Sequence, residues 1–537
     1  MSFTIATRAG IDIGADRWAF TITGDPTSGA GLKASIGSVC VQLDSVPANL
    51  FWEKTGPAQT DWSALSASGG AGIAAAASSD GSFRASAYSV PVDGTTDAVA
   101  TLATLTGTTI PATGGPYRLI VGPGETVELA SDVTLPATVQ LVGTGGLIKP
   151  ASGKVLTVNA QPTAAGKIFD ISAGGFVVAA RPMQSRPEWW GADNTGASNA
   201  APAVNHAMAF LTGQKYGTVS NTTIGGGKLY IPAGTYRMDD YGSQFGDAYS
   251  YITIEGDGPS TLLKNGTAHI ANTFQGIWSF FGDANFALKQ LRFKSFRMSG
   301  VDANDQTRHM VIDSAENLHF EDIYIENNAC EGIVSITGES ALRKVTFNNC
   351  HAKNVGVLAG LAAINLNAQN VLVTGCSFDT CGNGFENEGH FSQVSNCQFI
   401  NMGSYGVMLQ STWSGYLDPT TFFQVNTFGG QVNNCTFSNY NGRGVVLPDY
   451  TGHTNADPVH TSPSHLDGGL GKIMIVGNLF DRLAIGIYGG ADKQGEIECS
   501  SNIFSGQYDA GFGAQNVALC PQGGTWNIHH NTFTKGS

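Results

Sequence analysis

One short template recurs through the second half of the chain and limits the fold more than any other feature. An apolar residue is followed three positions on by Cys, Asn or a second apolar residue, and two positions further usually by Phe. The copies are Phe293/Phe296/Met298, Phe320/Ile323/Ile325, Phe347/Cys350/Ala352, Val373/Cys376/Phe378, Val394/Cys397/Phe399, Val432/Cys435/Phe437, Ile475/Asn478/Phe480, Cys499/Asn502/Phe504 and Ile528/Asn531/Phe533. Their central positions are 27, 27, 26, 21, 38, 43, 24 and 29 residues apart. Most are followed by a glycine-apolar pair: Gly332-Ile333, Gly384-Phe385, Gly406-Val407, Gly444-Val445 and Gly486-Ile487. A coil with one strand per template and one after each glycine cannot bury its apolar face alone. Neighbouring coils must stack, each strand pairing with its counterpart about 4.8 Å away. The expected fold is therefore an all-β, single-stranded parallel β-helix. Leucine-rich repeats keep a tighter frame and propeller blades carry more strands per repeat, so neither fits. In this register Cys376, Cys397 and Cys435 form one interior column, which Asn478, Asn502 and Asn531 continue as an expected structural hydrogen-bond ladder.

Composition agrees. The chain has 70 Gly in 537 residues, near twice the ~7% average, which excludes an ordinary helical protein. The glycines have no three-residue period, so collagen is excluded, and abundant Ile, Val, Leu and Phe exclude disorder. A net charge of −14, from 28 Lys+Arg against 42 Asp+Glu, opposes nucleic acid as a partner, because phosphate binding rests on basic side chains. The nine cysteines are scattered without a CxxC pair, which suggests buried thiols rather than a disulfide framework or zinc ribbon. MSFTIATRAGIDIGADRW lacks the basic and apolar regions of a signal peptide, and no apolar run reaches a membrane span. A soluble chain made in the cytoplasm, with no membrane insertion, is expected.

Upstream of the repeats, PEWWGAD at 187–193 reads as a turn, Ala200 to Leu211 as a short amphipathic helix, and GGGKLYIPAGTY at 225–236 as a glycine turn into a bent strand. These segments, with YITIEGDGPSTLLKNG at 251–266, resemble the first coil and capping helix of bacteriophage tailspikes of the pectate-lyase-like, right-handed β-helix superfamily. The resemblance runs from about Ser89 to the C-terminus. Gly122 to Asp170 alternates like the early coils of similar proteins. Met1 to about Ser86 resembles a strand-rich module of phage structural proteins, with Gly69 to Ser86 as a small-residue linker. The expected organisation is 1–86 attachment module and linker, 87–190 lead-in β-coils, and 191–537 main helix with insertions at 411–430 and 448–471. The resemblance implies a homotrimer on the virion, joined to a phage tail or baseplate protein through the N-terminal module. It also implies binding, and depolymerisation, of a bacterial surface polysaccharide such as capsule or O-antigen. The last template ends two residues before Lys535, and an open solenoid end exposes strand edges, so a further segment or a partner chain is expected to cover it.

The register also nominates side chains for chemistry. If Phe385, Val407, Val445 and Ile487 face inward, Glu386, Met408, Val446 and Tyr488 face outward, and Glu388 shares the face of Glu386. Two residues along a strand span about 6.5–7 Å, and inverting glycosidases hold their carboxyls about 6.5–9.5 Å apart. Glu386 and Glu388 are thus candidate acid and base, with His390 beside them; the plain alternative is two solvated strand residues. Asp418 and Asp449, from the insertions, are the next acids able to reach the same groove. Trp413, Tyr416, Tyr450 and Tyr488 are candidate platforms for the apolar face of a sugar ring, and Arg443 a candidate for an acidic sugar. Packing on the solenoid wall or a surface ion pair would equally explain each. A lyase would cast His453, Tyr450 and Arg443 as base and cation, but the calcium-binding aspartates of pectate lyases are not recognisable. His453, Asp457, His460, His465 and Asp467 match no zinc spacing, and no cofactor is called for. No G-x-S-x-G elbow occurs, and GGGK at 225–228 is not a phosphate loop. Glycosidic hydrolysis is the leading expectation. A polysaccharide lyase on the same fold and a non-catalytic receptor-binding spike are the alternatives.

Overall fold

The computed structural model describes residues 81–109, 115–213, 226–239, 243–266, 276–281, 288–301, 307–335, 342–357, 360–387, 391–409, 428–447, 470–488, 496–506, 517–521 and 525–534, together with the backbone of five strands nearer the N-terminus. Those five, Thr4–Asp12, Trp18–Thr23, Val39–Gln42, Leu50–Lys54 and Trp62–Leu65, form one sheet in chain order, antiparallel except for the second and third. Residues 66–80, which include the first part of the expected Gly69 to Ser86 linker, lie outside the described residues.

The parallel coils start at Ser82–Arg84, which lies in register against Tyr117–Val121. Residues 82–86, which composition groups with the linker, are thus part of the first coil, and Phe83 and Ala85 are buried there. Short parallel sheets continue to Ala179, and from Met183 to Thr534 a continuous set of 31 strands follows. This is the parallel β-helix expected from the repeats.

The coil differs in one respect from its sequence reading. Turns in the middle of the solenoid contribute three strands, for example Ala368–Thr374, Ser377–Asp379 and Asn383–Asn387, then Ser392–Ser395, Gln398–Ile400 and Tyr405–Leu409. In these turns the template itself covers two strands, because the chain bends inside it. Asn396 and Asn434 hold this bend with φ of 54°, and Gly375 with 64°, in the left-handed region that Asn and Gly tolerate best.

Equivalent positions stack, buried inside except for Ile528 and Phe533 of the last described coil, which are exposed. Val373, Val394, Val432, Ile475, Cys499 and Ile528 lie in one register column. Phe378, Phe399, Phe437, Phe480, Phe504 and Phe533 form a second, with ring centroids 4.8, 4.9, 4.9, 4.9 and 5.1 Å apart. Ring spacing simply follows strand spacing. The repeat glycines have their cause in this stack: a Cβ on Gly384, Gly406, Gly444 or Gly486 would stand 2.6 Å from a ring carbon of Phe399, Phe437, Phe480 or Phe504 respectively.

The cysteine and asparagine column is the expected ladder. Asn478 Oδ1 accepts from the Cys435 backbone N–H at 2.8 Å, while its Nδ2 donates to the Val432 carbonyl at 2.8 Å. Asn502 Oδ1 accepts from the Asn478 N–H, and Asn531 Oδ1 from that of Asn502. The described cysteines are free thiols; burial pushes the Cys381 thiol up to about 12 and that of Cys499 to about 11, so both stay protonated. Asn478→Ala strands a buried donor and a buried acceptor. It is expected to lower stability by about 2–4 kcal/mol in urea unfolding; an unchanged midpoint would show the ladder to be decorative.

The helix Ala201–Thr212 forms where the sequence places one, but it is buried along nearly its whole length rather than amphipathic. Phe210 meets Trp190 with ring centroids 5.6 Å apart, and Trp190 meets Phe169 at 5.1 Å, so the PEWW turn and the helix close the core at the first long coils.

Candidate functional site

The third strand of each coil builds one outer face. Register places Val334, Asn365, Glu386, Met408, Val446 and Tyr488 in a single column, directly beyond an inward column of Ile333, Ile364, Phe385, Val407, Val445 and Ile487. The inward members are buried, so alternation turns Glu386, Met408 and Tyr488 outward, as the glycine-apolar pairs predicted. Val446 shares their column but is buried, at 5% exposure, so the face is not uniformly open. Three strand steps separate Glu386 from Tyr488, about 14 Å along the solenoid axis.

A second column, three residues earlier on each strand, contains Asn383, Tyr405, Arg443 and Ile485, with Tyr405 paired to Arg443 and Arg443 to Ile485. The two columns interlock diagonally. Tyr405 Oη donates to Glu386 Oε2 at 2.7 Å from one coil further on, and the Arg443 guanidinium carbon lies 4.3 Å from the centroid of the Tyr488 ring. Glu386 is thus held by a phenol, and Tyr488 is covered on one side by a cation, an arrangement stabilised by the ring quadrupole. Neighbouring Asn387 is not part of this face: it is buried and clamps Ala368 through both its backbone N–H and C=O.

Of the residues nominated from sequence, Glu386, Arg443 and Tyr488 are brought onto this face. Glu388, His390, Trp413, Tyr416, Asp418, Asp449 and Tyr450 lie outside the described residues. The segments carrying them join the chain at the ends of these same strands: 388–390 follows Asn387, 410–427 follows Leu409, and 448–469 follows Leu447. Segment 489–495 likewise follows Tyr488. The histidines and aspartates of the second insertion are also outside the described residues, and among the described ones no three His, Cys, Asp or Glu converge as a metal site would require.

Sequence reasoning missed Tyr405. It is buried and immediately precedes the repeat glycine, the position Arg443 takes one coil later. Counting outward only from the residue after the glycine left this column unread, although Tyr405 and Arg443 stand out at a place where Ile485 is the apolar alternative.

Residues 189–408 match the family described as rhamnogalacturonase A/epimerase, pectate lyase-like. No curated protein matches the sequence. Among solved structures, ORF18 of Geobacillus virus E2 is similar at 16% identity and a TM-score of 0.43, the match covering 66% of this chain and 61% of that one. The A-module of mannuronan C-5 epimerase AlgE4 from Azotobacter vinelandii is similar at 12% identity and a TM-score of 0.39, covering 65% and 99%. Tailspike protein 3 of bacteriophage CBA120 is similar at 12% identity and a TM-score of 0.33, covering 66% and 61%.

Proposed function

We propose that this pectate-lyase-like β-helix protein is a phage tailspike that depolymerises a bacterial surface polysaccharide, capsule or O-antigen, by hydrolysing glycosidic bonds. The observation that carries this reading is the face on which Glu386 is gripped by Tyr405 and followed, within about 14 Å, by the Arg443–Tyr488 pair. A carboxylate, a guanidinium and an aromatic ring in one row offer what a saccharide needs: a proton-transfer group, hydrogen-bond donors and an apolar platform. Both insertions, with their Trp, Tyr and Asp residues, join the chain beside this row. Long loops on a rigid frame are where binding and chemistry concentrate.

In this reading Glu386 is one catalytic carboxyl, and Glu388, Asp418 or Asp449 supplies the second. Trp413, Tyr416, Tyr450 and Tyr488 stack on sugar rings, and Arg443 and His390 hold polar or acidic substituents. The resemblance of the PEWWGAD coil to tailspikes supports the remainder of the proposal: a homotrimer on the virion, attached to the tail or baseplate through residues 1–86, that meets the host through the solenoid.

Following new reducing ends together with ultraviolet absorbance tests the reaction. Hydrolysis releases reducing ends without absorbance; an unsaturated uronate absorbs, and its appearance would replace hydrolysis by β-elimination. Tyr488→Ala is expected to raise KM about 3- to 10-fold, the worth of one stacking contact, with a smaller change in kcat. An unchanged KM would remove Tyr488 from the binding surface.

A further inference from the structure

We infer that the edge between the first and second strands of the coils, from Asn349 to Ser501, packs against second copies of this chain around a threefold axis parallel to the solenoid. This deepens the homotrimer proposed above and rests on it. The edge is the left-handed bend inside the template. Asn349, Gly375, Asn396, Asn434, Gly477 and Ser501 occupy it in successive coils, each exposed and each with φ between 53° and 71°. The backbone N–H of each donates to the carbonyl that precedes the next bend, so the six form one continuous row, about 24 Å long.

Across these six bends no Asp, Glu, Lys or Arg stands within two residues on either side. Thr374, Ser395 and Asn433 precede the bend in three neighbouring coils, and Ser377, Gln398 and Thr436 follow it. The left-handed backbone does not impose this neutrality. Asp322, Lys344 and Arg482 hold the same conformation, with φ of 53°, 54° and 53°. At the other left-handed bend of their coils, Asn327, Asn354, Thr380 and Arg482 follow directly on Glu326, Lys353, Asp379 and Asp481. The coils before the row are charged at this edge as well, and there Glu321 pairs with Arg292 and Lys294 of its own chain.

Symmetry gives the missing charge a cause. Beside a threefold axis each side chain meets its own copies at the same height. A charge there meets like charges, which is costly, whereas an amide both donates and accepts and so bonds to another amide of its own kind. Gly375 and Gly477 add no side chain to hold the copies apart. A partner of one charge sign would call for ionic side chains of the other sign on this edge, while the core of a protein interface is where charged residues are depleted. Three strands make a triangular section, so this edge lies opposite the third strand. The face bearing Glu386 and Tyr488 is then turned away from the axis.

The experiment is crosslinking of full-length Asn396→Cys by a short bismaleimide, beside the wild type, which sets the background of the native thiols, and Asn370→Cys. Asn370 has the same left-handed backbone, with φ of 58°, and is exposed at a different edge of the same solenoid. Asn396→Cys is expected to give covalent dimers holding up to about two-thirds of the chains, since one linker joins two of three copies; Asn370→Cys is expected to stay at background. Should Asn396→Cys not fold, Gln398→Cys, in the strand Gln398–Ile400, carries the same expectation. A wild type whose mass by light scattering is that of one chain would refute the homotrimer and this inference together. A trimer that gives no covalent dimer from either edge variant, or as much from Asn370→Cys, would overturn the edge alone and leave the row to another partner. Asn396→Asp combined with Asn434→Asp puts on the row a residue that the bend already accepts at Asp322. It is expected to weaken association about 10-fold or more at low salt, with part of the loss restored by added salt. Association indifferent to these charges would likewise overturn the edge.

Discussion

Glu386→Gln is expected to reduce the rate of polysaccharide cleavage by about 10²- to 10⁴-fold, the usual contribution of one acid–base group. The substitution is nearly isosteric and keeps an acceptor oxygen for the Tyr405 hydroxyl, so the strand Asn383–Asn387 retains its packing: Phe385 beneath it and Asn387 clamped on Ala368 are untouched. Binding is expected to persist, with the unfolding midpoint and polysaccharide retention close to wild type while kcat collapses. Release of reducing ends at the wild-type rate would remove Glu386 from the chemistry and direct attention to Asp418 and Asp449. The register puts Glu386 on the outer face independently of any assumption about sugar chemistry.

Gly406→Ala is the substitution expected to harm the fold most for its size. The added methyl would lie 2.6 and 2.7 Å from two ring carbons of Phe437. That ring has nowhere to retreat, since it is stacked between Phe399 and Phe480 at 4.9 Å on either side. Overpacking a core with one methylene typically costs 1–3 kcal/mol, and a clash against a ring held from both sides belongs near or above the top of that range. A loss of about 3 kcal/mol in urea unfolding is expected, and the double variant Gly406→Ala with Phe437→Leu is expected to recover part of it by opening space. Equal stability of Gly406→Ala and wild type would mean that the stack yields easily, and that the repeat glycine has some other cause.

The fold was legible because the solenoid repeats its packing problem in every coil. Phe at one template position and Cys or Asn at another recur since the same side chain meets its own copy one strand away, and the glycine recurs since the next ring fills the space of its Cβ. What the repeat does not show is where the chain bends within a coil. Left-handed residues at Asn396, Asn434 and Ser501 split the template into two strands, and the polar residues among them look like ordinary surface. The short helix Val99–Thr104 was also unread. It follows a turn in which the Asp93 carboxylate accepts from the backbone of Thr95 and Thr96, much as Asp193 does with Thr195 and Ser198 before the longer helix. Both turns rest on local hydrogen bonds that leave no apolar periodicity.

The site was half legible for a similar reason. Alternation from the glycine-apolar pairs finds Glu386 and Tyr488, because side-chain direction along a strand has a period of two. It does not find Tyr405, whose role comes from a diagonal contact between coils 19 residues apart in sequence. Arg443 was nominated for its charge alone, and its seat over Tyr488 is again an inter-coil contact that no local pattern encodes.

The most direct test of the central claim is the size distribution of capsular polysaccharide and lipopolysaccharide from a panel of bacterial strains, measured by size-exclusion chromatography after incubation with the purified protein. For the polysaccharide it recognises, a collapse to short oligosaccharides carrying new reducing ends is expected, abolished in Glu386→Gln. A polysaccharide that binds tightly yet keeps its full size would contradict it, and would make the solenoid a receptor-binding surface without catalysis.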